Sequence, residues 1–460
     1  MIIGKQMARV VARLSLPALL MLVQFATASG QTTVGIDKVK LAAEVREQFI
    51  HTWHGYEKYA WGHDGLRPLS DSCYDWYGTP FYITAVDGLD TMILMGLKQE
   101  ADSTRTYIDR HLSFDKDVYV KTFEFNIRLL GGLLSSYQLT GDKRLLELAE
   151  DLGMRLLPAF NSPTGMPYEY VNLKTGAVRG RINNPAGIGT YLIEFGALSK
   201  LTGKNIFYRT AKNAIVRVYD RRSKIGLVGS SIDVDTGKWL KTNSSIGAGI
   251  DSYLEYLLKG WRLFGDRDCE RMWKTSIEAV NKYLADTTSS GFWYGSADMN
   301  TGRRTSTVFD ALAAFFPAEL ALSGDLPRAE KLEDSCYKMW NLYGIEPDDL
   351  NYATMSVVSP KYYLNPEIME SAYYLYEYTH DKKYLLMGKT FLDDLVKNCR
   401  AGSGFAELKN VVTKRKMDVM ETYFTAETLK YLYLLFAPSS TLDFHKVIFN
   451  TEAHPIRRTW

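Results

Sequence analysis

The chain has 460 residues, of which 46% are hydrophobic, and its 55 Lys and Arg against 53 Asp and Glu give a formal net charge of +2. This hydrophobic content excludes a disordered chain, and the near-neutral charge argues against a protein built to bind nucleic acid or an anionic membrane surface. Four cysteines in a chain of this length exclude a disulfide scaffold.

The amino terminus has the pattern of a secretory signal. A basic stretch, Met1–Arg13, precedes the short apolar run Leu14–Phe25, and Ala26-Thr27-Ala28 follows as a cleavage site. The run is short for a membrane span, so we predict a signal peptide over residues 1–28, with an uncleaved signal anchor as the alternative. The mature protein is then expected outside the cytosol, secreted, periplasmic or in the lumen of the secretory pathway, without a membrane span.

Beyond this segment the chain repeats one plan, in which an apolar helical stretch ends at a turn and a second, more charged helical stretch follows. Apolar residues recur at helical spacing in each stretch. The pattern predicts about seven helical hairpins, with the apolar helices inside and the charged ones facing water, as in an (α/α) barrel. An open superhelix that binds other proteins is the alternative. The turns fall at Gly96, Gly141, Gly203, Gly265, Gly324 and His380, and the last hairpin ends at Ala437.

Acidic residues occur in the apolar, inner-type helices, where a soluble helix usually has none. They lie at similar distances from the end of each repeat, so we expect them to share one end of the barrel. Any one of them can be a rim acid or half of an ion pair, as Glu124 and Arg128 are by their spacing. A ring of them favours a metal, a bound cation or a polyhydroxyl ligand. The set comprises Glu124, Glu194, Asp251, Glu255, Glu367, Glu370 and Glu427.

Around these acids the sequence resembles glycoside hydrolase family 47, the class I α-mannosidases. The resemblance rests on long motifs in the right order: VDGLDTMILMGL, FEFNIRLLGGLLSSY, GAGIDSYLEYLLK, NPEIMESAYYLY, METYFTAETLKYLYLLF and FNTEAHP. It implies an all-α fold, an (α/α)7 barrel that forms a single catalytic domain over residues 29–460. It further implies that FNTEAHP is a C-terminal β-hairpin that plugs one end of the barrel and brings Thr451 to its axis.

The resemblance also implies an activity: an exo-acting, inverting, calcium-dependent α-1,2-mannosidase that removes terminal mannose from an N-glycan or a manno-oligosaccharide. Glu367 would be the general base, and Glu124 the general acid, with Asp251 as the competing candidate. Thr451 would bind Ca²⁺ through its carbonyl and hydroxyl oxygens, which suit this hard cation. The remaining site residues would bind the sugar or the waters around the ion: Arg128, Glu194, Glu370, Tyr423, Glu427 and Glu452.

Three positions depart from the pattern of the better-known members. Asn365 and Gly249 stand where Arg is common, and Ala311 stands where His is usual. These positions belong to the leaving-sugar side, so branch preference is in question there. A mannose-glycan binding or quality-control protein with weak or no turnover is therefore the second reading, and a different exported (α/α) barrel such as a polysaccharide lyase is the third. We expect a monomer.

Overall fold

The computed structural model describes residues 36–460. The predicted signal peptide, residues 1–28, lies outside the described residues and stays a prediction. Helices with the length and hydropathy needed to cross a membrane are absent from residues 36–460.

Helices dominate the described chain and alternate between an inner and an outer layer. They are, in chain order, α1 (Lys38–Tyr59), α2 (Ile83–Leu94), α3 (Lys98–His111), α4 (Thr122–Glu124), α5 (Gly131–Thr140), α6 (Lys143–Leu156), α7 (Pro185–Gly189), α8 (Leu192–Thr202), α9 (Ile206–Tyr219), α10 (Asp251–Phe264), α11 (Arg267–Tyr283), α12 (Phe316–Ser323), α13 (Leu326–Asn341), α14 (Glu367–Thr379), α15 (Lys382–Asn398) and α16 (Leu429–Phe436).

The inner layer is a closed ring. Helix α2 packs on α5, and the contacts continue through α8, α10, α12 and α14 to α16. A π-helical segment, Phe424–Thr428, precedes α16 and packs against α2, which closes the ring. Each inner helix also packs on an outer one, and α1 covers α16. Within residues 36–460 this gives seven inner and seven outer helices, as the repeats predicted.

The turns predicted between the paired helices are observed. The inner helices α5, α8, α10, α12 and α14 all end at a residue in the left-handed conformation, which glycine adopts at little cost. The last of these residues is His380, with a φ of 54°. In four of the five pairs an Asp follows and accepts a backbone hydrogen bond at the start of the outer helix, as Asp266 does from the Cys269 N–H at 2.9 Å.

At the other end of the barrel, each outer helix leads into the next inner helix through short antiparallel sheets. These connections surround the amino-terminal ends of the inner helices, where the predicted acids lie. The strands are β1 (Gly65–Arg67), β2 (Ser72–Tyr74), β3 (Tyr119–Lys121), β4 (Tyr170–Asn172), β5 (Val178–Arg179), β6 (Ile182–Asn183), β7 (Ser231–Asp233), β8 (Trp239–Lys241), β9 (Asn243–Ser244), β10 (Ala285–Thr288), β11 (Gly291–Tyr294), β12 (Ser296–Asp298), β13 (Arg304–Ser306), β14 (Val308–Asp310), β15 (Asp349–Asn351), β16 (Ser356–Ser359), β17 (Leu408–Asn410), β18 (Arg415–Lys416), β19 (Val447–Phe449) and β20 (Pro455–Arg457).

The hydrophobic core lies between the two helical layers. Large side chains of the outer helices, such as Trp53 and Trp340, are fully buried there. The inside of the inner ring is different, because charged side chains are buried along it, among them Glu194 and Lys259. Buried charge is costly unless it is paired or neutralised, so the centre of the ring is the part of the molecule that calls for a functional explanation.

Candidate active site

The C-terminal hairpin enters the ring, as the sequence predicted. Strands β19 and β20 pair in antiparallel register, with Val447 opposite Arg457 and Phe449 opposite Pro455. In the turn between them, the Asn450 Oδ1 accepts hydrogen bonds from the backbone N–H groups of Glu452 at 2.9 Å and His454 at 2.8 Å. These bonds fix the loop that carries Thr451.

Four buried charged side chains hold this turn in place, and we call them the hairpin clamp: Asp87, Asp90, Lys430 and His454. The His454 Nδ1 lies 2.8 Å from Asp90 and its Nε2 lies 3.1 Å from Asp87, so both ring nitrogens face carboxylates. Such a ring carries two protons and a positive charge. Lys430 Nζ contacts Asp90 at 2.8 Å and donates to the Ala453 carbonyl at 2.7 Å.

The charges of the clamp support one another. Burial opposes the charged form of His454, but the two aspartates outweigh it and raise the pKa of this imidazole above its ordinary value. Burial likewise opposes ionisation of Asp90, yet Lys430 and His454 lower the pKa of this carboxyl to about 2. The clamp therefore joins helices α2 and α16 to the hairpin through buried ion pairs.

Glu194 stands at the start of α8, inside the ring, and is surrounded by donors. Its carboxylate accepts hydrogen bonds from Asn126 at 2.9 Å, Tyr256 at 2.6 Å and Asn450 at 2.8 Å. Burial raises the pKa of Glu194 to about 7, although these donors lower it. The Thr451 backbone N–H donates to the Tyr256 hydroxyl at 3.3 Å, so Glu194 orients the turn as well as lining the centre.

Arg128 connects several of the predicted acids. Its Nε donates to the Glu124 Oε2 at 3.0 Å, and the same guanidinium pairs with Glu452 on the hairpin. The guanidinium also lies against the rings of Trp76 and Tyr423, 5.3 and 5.4 Å from their centroids. Arg128 lies within a π-helical segment, Phe125–Leu130. Such segments are frequent at functional sites.

Asp251 and Glu367 are the first residues of α10 and α14, two inner helices that α12 separates in the ring. Burial raises the pKa of Asp251 to about 7. Burial also raises the pKa of Glu367 well above its ordinary range, and the nearby carboxyls of Glu370 and Asp251 add to this rise. The Glu367 Oε2 is buried and has no hydrogen-bond partner among the described residues.

One buried lysine balances part of this acidic wall. Lys259 on α10 pairs with Glu255 one helical turn away, and its Nζ lies 3.7 Å from Glu370 and 3.8 Å from Glu319. Both oxygens of Glu319 lack hydrogen-bond partners within residues 36–460. Three carboxyls thus share one cation, and burial raises the pKa of Glu370 to about 7 in spite of Lys259.

The donor set can be tested against the calcium ion that the sequence predicts. Burial raises the pKa values of Glu427 and Glu452 well above their ordinary range, and neighbouring carboxyls add to this rise in spite of Arg128. The acids around the turn therefore lack enough positive partners in the part of the chain that the structure describes. Within the described chain, neither the Thr451 hydroxyl nor its carbonyl takes part in a protein hydrogen bond. The same residues contain no group of three or more His, Cys, Asp or Glu side chains arranged to hold a metal. The residues fit a hard cation held by Thr451 oxygens and by waters that the acids bind.

The structure brings the predicted residues to one region. Glu124, Arg128 and Glu452 touch directly, and Glu367, Glu370 and Glu427 are close enough to raise one another's pKa values. Tyr423 lies beside them and its hydroxyl donates to the Tyr363 carbonyl at 2.6 Å. Their catalytic and binding roles stay predictions.

Sequence reasoning missed the residues that support this centre. The clamp residues Asp87 and Asp90 lie in the VDGLDTM motif, three residues apart, so they share one face of a helix. This spacing is the sequence signal that could have identified them. His454 lies in the FNTEAHP motif, and its local sequence carries no signal that links it to these aspartates. The other supporting residues that the sequence did not identify are Trp76, Asn126, Tyr256, Lys259, Lys430 and Asn450.

The three departures from the family pattern also lie near the site. Asn365 is buried directly before α14, and its amide beside Glu367 counteracts the rise in the pKa of that acid. Gly249 precedes α10 with a φ of 86°, a conformation that disfavours a larger residue there. Ala311 is buried at the start of the 3₁₀ segment Ala311–Phe315.

Comparison with known proteins adds to this geometry. The family model for glycosyl hydrolase family 47 matches residues 48–458. A protein of Arabidopsis thaliana named alpha-mannosidase I MNS5 is 36% identical, over 97% of this chain and 82% of its own length. A Mus musculus protein named ER degradation-enhancing alpha-mannosidase-like protein 2 is 37% identical, over 93% of this chain and 80% of its own length.

Solved structures give the same result for the fold. An alpha-1,2-mannosidase from Trichoderma reesei matches with a TM-score of 0.85 at 28% identity, over 92% of this chain and 100% of that one. A D-mannose isomerase matches with a TM-score of 0.58 at 12% identity, over 86% of this chain and 97% of that one, and shares the fold alone. The predicted (α/α)7 barrel is confirmed.

Proposed function

Because the chain belongs to glycosyl hydrolase family 47, we propose that it is an exo-acting α-1,2-mannosidase that requires calcium and inverts the anomeric carbon. Its substrates are terminal α-1,2-linked mannose residues of mannose-rich glycans or manno-oligosaccharides. Relatives named alpha-mannosidase I and mannosyl-oligosaccharide 1,2-alpha-mannosidase, and the solved alpha-1,2-mannosidase, support this proposal.

One observation carries it: the free, buried Oε2 of Glu367. A buried polar atom without a partner is rare in a native protein and is costly to keep. Beside Asp251 and Glu370, this oxygen can accept a hydrogen bond from a water molecule that lies next to the sugar. Glu367 acts as the general base, taking a proton from that water as it attacks the anomeric carbon.

The general acid is Glu124 or Asp251, and each has a physical argument. Glu124 is oriented by the Arg128 hydrogen bond and reaches the same centre as the hairpin. Asp251 has a pKa of about 7, which is near the value that suits proton donation at neutral pH. The acid donates its proton to the glycosidic oxygen, so the leaving sugar departs as a neutral alcohol.

The hydroxyl and carbonyl oxygens of Thr451 would hold calcium, and acids such as Glu427 and Glu452 would bind the surrounding waters. When bound, the ion supplies a positive charge that polarises sugar hydroxyls and favours the ionised form of these buried acids. The chain's own contribution is to hold the turn in one position through Asn450 and the hairpin clamp. Tyr423 supplies an apolar surface for the mannose ring, and Arg128, Glu194 and Glu370 bind its hydroxyls or those waters.

We also propose that the protein works after export, as a monomer. The relatives named ER degradation-enhancing alpha-mannosidase-like proteins support a place in the secretory pathway, and the predicted signal peptide supports export. A secreted or periplasmic enzyme fits the same sequence features.

The relatives named ER degradation-enhancing alpha-mannosidase-like proteins favour a second function. So do the departures from the family pattern at Asn365, Gly249 and Ala311. In it the barrel binds mannose-rich glycans, with weak or no turnover, for glycoprotein quality control. The two functions differ in whether Glu367 has a water to activate.

Proton NMR of α-1,2-mannobiose incubated with the purified chain separates them. The proposal expects β-mannose as the first product, its loss on chelation and its return with calcium. Binding of the disaccharide without cleavage would favour the second function. Early α-mannose would contradict inversion.

A further inference from the structure

A large cavity lies at the opposite end of the barrel from Asp251 and Glu367, and the proposed reaction does not use it. It has a volume of about 980 Å³ and opens between the carboxyl ends of α10, α12 and α14 and the outer side of the hairpin. Arg262, which lines it, follows Asp251 on the same helix by three turns, which is about 16 Å along the axis. The cavity is therefore separate from the candidate active site.

Basic side chains surround this cavity, and few acids balance them. Arg262 comes from α10, Lys446 from the segment before β19, and Arg457 and Arg458 from the end of the chain. Asp443 is the acid among the lining residues, and it pairs with Lys446 at 2.9 Å. Within residues 36–460, no carboxylate lies in ion-pair range of any of the three arginines. The cavity is positive because the charges of its three arginines are not paired.

Arg262 is held in place without being neutralised. Its guanidinium stacks on Trp261, 4.3 Å from the ring centroid, and donates to the Leu322 carbonyl at 3.0 Å. Arginine fixed in this way retains donors for a carboxylate and loses little rotamer freedom on binding one. Its orientation is thus set before any ligand arrives.

The inner surface of the cavity is aromatic. Phe444 packs edge-to-face on Tyr374 at 5.0 Å and on Tyr378 at 5.5 Å between centroids, which makes a rigid wall. Val447 and Ile448 of β19 extend this wall along the hairpin. An apolar or aromatic side chain can pack against this wall, whereas a simple ion gains nothing from such a surface.

We propose that this cavity binds an acidic peptide segment of a partner protein. The volume accommodates several residues, the aromatic wall takes an apolar side chain, and bases from three separate elements match acids spread along a chain. A single small anion would engage only part of this set. Charge complementarity with the cavity selects the partner and speeds its association.

The test is fluorescence anisotropy of a short labelled peptide of Asp and Glu with one Phe and one Leu, added to the full chain. We expect saturable binding that weakens as salt rises, because screening acts on the exposed bases. Arg457→Glu combined with Arg458→Glu should weaken binding at least about tenfold, since the repelled carboxylates lose their partners. The matched control Arg303→Glu, on the exposed turn between β12 and β13, should bind as the unaltered chain does.

Thermal unfolding of each variant checks the fold, and Lys446→Glu replaces the double variant if that one unfolds. Equal peptide binding by the charge-reversed variant and the unaltered chain, or no binding by the unaltered chain, would overturn the proposal. So would inorganic phosphate or polyphosphate binding as tightly as the peptide, because the cavity would then be a site for small anions. None of these outcomes depends on hydrolysis of mannose.

Discussion

The Nε of Arg128 lies 3.0 Å from the Oε2 of Glu124, one helical turn away, while the same guanidinium pairs with Glu452 on the C-terminal hairpin. Arg128 thus joins a candidate general acid to the turn that carries Thr451. The position of that acid depends on a segment more than three hundred residues further along the chain.

The general acid can be identified with a substrate that needs none. Glu124→Gln and Asp251→Asn should both lower kcat on α-1,2-mannobiose by about 10²–10⁴-fold. On α-mannosyl fluoride, whose leaving group departs without a proton, only the variant at the general acid should recover near-normal turnover. Steady-state kinetics on both substrates checks this. Recovery by neither variant would mean that both side chains have a further role.

Glu367→Gln should lower kcat by a similar factor on both substrates, because the attacking water still needs a base when the leaving group needs no acid. Mannose affinity, measured by calorimetry, should change little. Glu333→Gln, which alters a buried acid on the outer helix α13, is the matched control. Normal turnover in Glu367→Gln would remove Glu367 as the base.

Thr451→Ala should weaken calcium binding by roughly ten- to a hundredfold, the range found when a ligand or its support is lost, whereas Thr451→Ser, which keeps the hydroxyl, should bind normally. Calorimetric titration with CaCl₂ after chelation measures both. Equal affinity in Thr451→Ala would contradict the ligand assignment.

Calcium should also stabilise the fold more at neutral than at acidic pH. The pKa values of Asp251 and Glu370 are raised by burial to about 7, so without calcium the folded chain holds protons that the unfolded chain has lost. Without calcium, the stability of the fold then falls as pH rises from about 4 to 7. A bound cation stabilises the ionised acids and so opposes this fall. The rise in Tm on adding calcium should be larger at pH 7 than at pH 5. An equal rise would argue against a cation beside these acids.

His454→Gln should destabilise the fold by about 3–5 kcal/mol, since Asp87 and Asp90 lose the buried cation that they share and Asp90 keeps only Lys430. The pKa of His454 is raised in the folded state, so its contribution is fully present below about pH 6.5 and is lost as pH rises through the folded value. The difference in unfolding free energy between the two chains should therefore shrink on the alkaline side. Chemical denaturation at several pH values measures it, and a difference that grows with pH would contradict the charged clamp.

Lys259→Met should cost about 3–5 kcal/mol as well, because Glu255, Glu319 and Glu370 would lose their shared cation. Lys389→Met, which removes an exposed partner of Asp393, should change stability little. A shift in the acidic limb of the kcat profile would show that Lys259 also sets the ionisation of Glu370. Unaltered stability would mean that the three carboxyls are protonated in the native chain.

The helical framework could be predicted from the sequence because each repeat carries its own signals. Apolar spacing marks the inner helices, and in four of the turns an Asp directly follows the left-handed residue, as Asp266 follows Gly265. These signals are local, and the structure follows them.

The centre of the barrel could not be predicted in the same detail. Glu194 and Glu367 both stand at the start of an apolar inner helix, yet one is surrounded by donors and the other keeps a free oxygen. The difference comes from Asn450 and Tyr256, which approach Glu194 from distant parts of the chain. The π-helical backbone at Phe125–Leu130 is likewise set by packing against the hairpin, where the Ile127 carbonyl accepts from Asn450 at 2.9 Å.

The hairpin has a consequence for how the protein is made. Its clamp joins His454 to Asp87 and Asp90 across more than 360 positions, and α1 closes on α16 in the same way. During synthesis from the amino terminus, the early helices must wait for the hairpin to leave the ribosome before their buried aspartates find these partners. The open ring is therefore exposed to chaperones until that point, and arrival of the hairpin, rather than folding of any one repeat, completes the candidate active site.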